Sequence, residues 1–156
     1  MTQTKLALTN ARLLAVQTLY AHLLTDEAWD KLMSRALLGE LGGQALEEQD
    51  AKETYVNLPA ADSGLYTRIV QSFREHEADI DTALRTGLSE GISFDRLEPT
   101  FLCILRAGLA EFYADATTDA PIIINEYVDM TRAFFDGPEI KIANAVLDRF
   151  SKVIRG

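Results

Sequence analysis

Apolar side chains recur every three to four residues through most of this chain, the period of an α-helix with one face turned inward. Leu13, Val16, Tyr20, Leu23 and Leu24 keep that spacing and predict a first helix over Thr4 to Leu24. A second is predicted from Glu27 to Leu41, closed by Gly42 and Gly43. The acidic stretch from Gln44 to Asp62 reads as a short helix followed by a loop. A long helix follows from Ser63 to Thr86, with Tyr66, Ile69, Val70, Phe73, Ile80 and Leu84 on its inner face, and Gly87 and Gly91 break it. Pro99 to Tyr113 forms a strongly apolar helix. Asp119 is placed to cap the next helix, with Pro121 in its first turn, where the missing N–H costs nothing. Pro138 opens the last helix. It carries one apolar stripe of Ile140, Ala143, Leu147, Phe150 and Ile154, and a second of Ile142, Val146 and Val153, so burial on more than one side is expected. No run of alternating Val, Ile and Thr bounded by turn residues argues for strands. The pattern predicts an all-α protein of two packed helical subdomains, about residues 1–90 and 91–156.

Composition narrows the function. A chain of 156 residues with 47% hydrophobic and 25% charged residues is one ordinary globular domain's worth. It has no apolar run long enough to span a membrane and no secretory leader pattern, so a cytoplasmic protein is expected. Its single cysteine, Cys103, sits in the apolar run FLCILRAGL and is expected to be buried and inert. The net charge of −9 argues against broad, non-specific nucleic-acid binding, because that affinity comes from neutralising phosphates with Lys and Arg. Any RNA site must be local.

Catalytic chemistry is not in evidence. His22 and His76 are far apart in sequence, and neither has a second ligand at metal-binding spacing. Glu75 and Glu77 beside His76 point away from it on a helix, which reads as a solvated face. There is no phosphate-cradling glycine loop and no nucleophile–base pattern. No enzyme activity, metal or cofactor is expected.

Three segments, in order, resemble the NusB family of transcription antitermination factors. ARLLAVQTLY supplies Ala11, Arg12, Ala15, Gln17, Leu19 and Tyr20 of the first segment; ILRAGLAEF supplies Leu105, Arg106 and Glu111 of the second. The third runs from Pro121, Ile124, Asn125 and Glu126 through Phe134 to Lys141, Asn144, Val146, Leu147 and Asp148. The resemblance leaves out about residues 26–62, a region longer than usual for the family. It implies a factor that pairs with a small-subunit ribosomal protein (NusE), binds single-stranded boxA-type nascent RNA and acts with the transcription elongation complex, notably in ribosomal RNA operons. It also implies RNA contacts at Lys5, Asn10, Arg12, Gln17, Lys141 and Asn144, and partner contacts at Tyr20 and Phe101.

The chain departs from the family where arginines usually cluster, before and within the first helix: Leu8, Thr9 and Asn10 lead to Arg12. Phe101 stands where members often carry an acidic residue facing the ribosomal protein. Lys5 and Arg12 read equally as solvated charges, and Asn144 as a side chain bonding the turn before its helix. Asn125 and Glu126 are expected to tie helix ends together, and Arg106 to pair with a carboxylate at the subdomain seam. The alternative function is a protein-interaction module with weak or lost RNA binding. A third reading is a relative of the NusB-like domain of rRNA cytosine methyltransferases, with the chain too short to add the catalytic part.

Overall fold

A computed structural model describes residues 2–41, 44–49, 52–57 and 60–155, with the backbone alone for 44–49 and 52–57. The chain divides into two compact units, Met1–Thr67 and Arg68–Gly156. The division falls inside a helix rather than near residue 90, because that helix past Thr67 takes part in the C-terminal unit.

In the first unit α1 (Gln3–Thr25) opens with the Thr2 hydroxyl accepting from the Lys5 amide at 3.1 Å and closes at Asp26 in the left-handed region, φ 56°. A chain cannot continue as a helix through that conformation. Asn10, Ala11, Arg12, Leu14, Ala15, Val16, Thr18 and Leu19 are all buried, so the middle of α1 is covered on nearly every side rather than along one stripe. α2 (Trp29–Leu37) buries Leu32, Met33 and Ala36. It ends before the expected limit, with Gly39 at φ 78° just past its cap at Leu38. Gly42 and Gly43, expected as the stop, lie outside the described residues.

The acidic stretch is not a helix. Gln44–Gln49 (β1) and Lys52–Asn57 (β2) pair antiparallel, with Gln44 opposite Asn57 and Gln49 opposite Lys52. The apolar residues there come in adjacent pairs, Ala45-Leu46 and Tyr55-Val56. They therefore show neither the period of a strand nor that of a helix, and the hairpin leaves no trace in the hydrophobic pattern. Among the described residues the protein is all-α apart from this ribbon.

α3 (Ser63–Gly87) starts in the first unit, where Tyr66 and Thr18 hydroxyls share a buried hydrogen bond of 2.8 Å. In the second unit it is kinked at His76 (φ −118°, ψ 15°). His76 is half-buried there, its ring stacked 4.2 Å from that of Tyr113, not solvated as its neighbours suggested. A single 3-10 turn, Phe94–Arg96, leads to α4 (Pro99–Ala114), the central helix of this unit. Its residues Phe101 to Leu105 and Ala107 to Phe112 are buried. Gly108 lets α6 come close: a Cβ there would stand 2.7 Å from a Leu147 methyl. α5 (Ala120–Phe134) begins at Asp119, whose carbonyl rather than side chain accepts from the Ile122 and Ile123 amides, at 3.0 and 3.3 Å. α6 (Glu139–Arg155) packs Ala143, Val146, Leu147 and Phe150 inward.

Two polar features of this unit depend on burial. Cys103 is inaccessible, and burial pushes its thiol up to about 12, so it is an unreactive core residue. The α4–α5 joint is held by Asp115. Partial burial would raise its carboxyl, but hydrogen bonds from the side chains and amides of Thr118 and Thr117 outweigh that and hold it well below the usual carboxylate range. Arg155 donates to the carbonyls of Asp115 and Thr118, pinning the end of α6 to the same joint.

A carboxyl lowered on folding stabilises above its unfolded value, near 3.9, and loses that contribution as pH falls through its folded value. Asp115→Ala is therefore expected to cost about 1–2 kcal/mol at pH 7. Thermal unfolding from pH 7 to pH 2 checks this: the gap to wild type should be constant above pH 4 and close only below it. A gap that closed near pH 6 would refute the assignment.

Candidate nucleic-acid interface

The residues expected to hold RNA separate into an exposed and a buried set. Lys5, in the first turn of α1, is exposed and forms no ion pair with any described residue. Seven residues on, nominally along the same face, Arg12 is only 3% exposed and is engaged in other interactions. Asn10 is 7% exposed and likewise engaged, and Gln17 is half-buried and engaged. The expectation that Arg12 offers a cation to solvent is thus corrected. The start of α1 projects, whereas its middle is enclosed, and helical spacing carries no information about position along the axis.

α6 supplies the better exposed group. Lys141 and Asn144 stand on the face opposite Ala143, Val146, Leu147 and Phe150, and both are exposed. Neither side chain bonds another described residue, so Asn144 does not tie down the turn before the helix. Further along that face Lys152 pairs with Asp148 at 3.0 Å and the two charges cancel. Among the described residues Lys141 is the cation that this face leaves uncompensated. Glu139 precedes it in the first turn, where a carboxylate favours the helix dipole but opposes phosphate. Asn125 is exposed and makes no such bond to a described residue, against the expectation that it ties helix ends, whereas Glu126 is engaged.

The two residues expected to meet a protein partner also part company. Tyr20 is half-exposed near the end of α1, and its hydroxyl bonds no described residue. Leu23 and Leu24, three and four residues on, are 40% and 59% exposed. Their spacing continues the apolar face of α1, but α1 outruns its covering there, so they join Tyr20 as an open apolar strip. The clue available in sequence was their position one turn before the polar stop Thr25-Asp26. Phe101 is different: at 2% exposure, with its ring edge-on to Phe135 at 5.7 Å, it belongs to the core and offers nothing to a partner.

Arg106 has the carboxylate it was expected to need. It donates to both oxygens of Asp81 at 3.0 and 2.9 Å, and both residues lie in the second unit. Among the described residues no three His, Cys, Asp or Glu side chains gather as a metal site. No helix built from them is long and apolar enough to cross a membrane.

The NusB family model matches residues 9–152. The transcription antitermination protein NusB of Hyphomonas neptunium is 37% identical over 149 residues, covering 93% of this chain and 89% of that protein. Among solved structures, T. maritima NusB superposes with a TM-score of 0.70 at 19% identity, covering 92% of this chain and 89% of that one. A structure of antitermination factors NusB and NusE in complex with dsRNA gives a TM-score of 0.69 at 21% identity, covering 93% and 96%.

Proposed function

The chain belongs to the NusB family, and from that premise we propose that it is a transcription antitermination factor pairing with a NusE-type ribosomal protein on boxA-type RNA in the cytoplasm. The observation that carries this reading is the extent of the likeness: one family model matches residues 9–152. A solved relative of the same fold is a complex with NusE and RNA.

The distribution of charge shapes how the work is divided. With Arg12 and Asn10 enclosed, the exposed candidates for phosphate contact are Lys5 in the first unit and, separately, Lys141 with Asn144 in the second. Two cations give a shallow salt dependence, about one unit of log–log slope each. The net charge of −9 then favours a basic protein partner over bare RNA through long-range attraction. Tyr20, Leu23 and Leu24 offer that partner an apolar strip at the end of α1. RNA is accordingly bound well only by the pair.

A gel shift with boxA RNA, with and without the NusE-type protein, tests this across a salt series. Lys141→Ala is expected to weaken the ternary complex three- to tenfold and reduce the salt slope by about one. Arg12→Ala should act differently, lowering the melting temperature while leaving the slope unchanged in the folded fraction. Partner binding with no RNA shift at any salt would favour the second reading, a protein-interaction module without RNA. The burial of Arg12 supports that second reading. If neither partner nor RNA binds, both fail.

A further inference from the structure

One face of the second unit has no part in that reading. Arg68, Gln71, Ser72, Glu75 and His76 recur every three to four residues, so they share one face of α3, and that face is polar. They line a recess of about 300 Å³ closed by Tyr113 and Ala114 at the end of α4. That volume is at the lower limit of ligand pockets, roughly 300–1,000 Å³, and suits one small molecule. Ser72 is buried and donates to the Ala110 carbonyl at 2.7 Å, which ties α3 to α4 beside the recess.

The other polar groups there are uncommitted. Arg68 and Glu75 are exposed, Gln71 and His76 half-buried, and none has a hydrogen bond or ion pair with any described residue. The His76 ring stacks on that of Tyr113 at 4.2 Å and 11°, so the recess has a flat aromatic wall. Burial, and then Asp79, raise the Tyr113 hydroxyl above its ordinary value, which keeps it protonated as a donor. Arg68 and Glu75 are seven residues apart, roughly 10 Å along a helix axis.

Those two ends select a bipolar ligand. A polyamine is repelled by Arg68 and a dicarboxylate by Glu75. An α-amino acid carries both charges on one carbon, too close together to meet both ends. A nucleotide spans the distance, with its phosphate at one end and its base edge at the other. Guanine offers a carboxylate two neighbouring donors, N1–H and N2–H, whereas adenine, cytosine and uracil offer no such pair. One cation matches one phosphate, and the net charge of −9 opposes each further one.

We infer that the recess between α3 and the end of α4 binds a guanine nucleoside monophosphate, with Arg68 on the phosphate, Glu75 on the guanine edge and Gln71 between them facing the ribose. This inference stands apart from the antitermination reading, since no residue assigned to RNA or to the protein partner lines the recess.

Calorimetric titration of the full chain with GMP, AMP and guanosine, mapped by amide NMR, tests the assignment. GMP should shift the amides of residues 68–76 and of Tyr113. It should bind at least about tenfold tighter than AMP, which lacks the paired donors, and than guanosine, which lacks the phosphate. GTP should bind more weakly than GMP. The variants carry separate signatures. Arg68→Gln should bind GMP and guanosine alike while still preferring guanine, and Glu75→Gln should bind GMP and AMP alike while still preferring the phosphate. Both side chains are exposed, so both variants should melt with the wild type, and misfolding cannot produce a selective loss. Equal binding of AMP, shifts scattered away from the recess, or a preference that survives its own variant would each overturn the proposal. So would boxA RNA shifting these amides where GMP does not.

Discussion

Replacing Phe101 by alanine should destabilise the protein by about 3–5 kcal/mol, the range for emptying a buried aromatic site. For a chain of this size that is a fall in melting temperature of roughly 6–20 °C. The ring is 2% exposed, stands edge-on to Phe135 at 5.7 Å, and lies in the first turn of α4, where the Glu98 side chain accepts from the Phe101 amide at 3.2 Å. Deleting it removes the apolar transfer energy and leaves a cavity that a helix packed on nearly every side cannot collapse to fill. Phe101→Glu should be worse, because it places a carboxylate in the core. The two readings of this residue make opposite forecasts. A core residue lowers the melting temperature and leaves partner affinity of the folded protein unchanged. A partner contact weakens binding with little effect on melting. Calorimetry and a binding titration on Phe101→Ala, both below its melting point, decide between them.

Breaking the Arg106–Asp81 pair is the second large effect. The guanidinium is 12% exposed and the carboxylate 23%, and two parallel hydrogen bonds of 3.0 and 2.9 Å join them. The guanidinium also lies 5.4 Å from the centre of the Phe73 ring, so its planar surface is covered as well. Arg106→Met keeps the apolar stem but strands Asp81, and should cost about 2–4 kcal/mol, slightly under the figure for a fully enclosed pair because water still reaches the carboxylate. Asp81→Leu strands the guanidinium and should cost a comparable amount. The double variant Arg106→Met/Asp81→Leu should recover much of the loss, since no charge then remains without a partner. Urea unfolding of the four proteins gives the coupling energy, expected at about 1–3 kcal/mol. Strictly additive losses would mean that the pair contributes through packing alone.

The candidate site was legible only where composition mattered more than position. Poverty of cations in the first helix and a lysine at the start of the last were both visible in the residues themselves. Which cations face water was not. Lys5 and Arg12 share a helical phase, yet one lies at a projecting end and the other is enclosed. Leu23, Leu24 and Val153 hold core spacing, yet are exposed, because a helix carries its apolar period beyond the point where a neighbour covers it. Phe101 shows the converse, an aromatic placed by family position at a partner face and claimed by the core instead.

By itself the sequence determined the six helices found among the described residues, most of their ends and the inner faces of α3 and α4. Those follow from a 3.6-residue apolar period and from local chemistry at Pro99, Pro121, Gly87 and Pro138, which acts within a turn of where it stands. Only the tertiary structure decided that Gln44–Gln49 pairs with Lys52–Asn57, that Arg12 is enclosed while Lys141 is exposed, and that a groove separates α3 from α6 over α4. Each of these depends on what lies across from a residue rather than beside it. A covering neighbour, not periodicity, sets whether a side chain meets water.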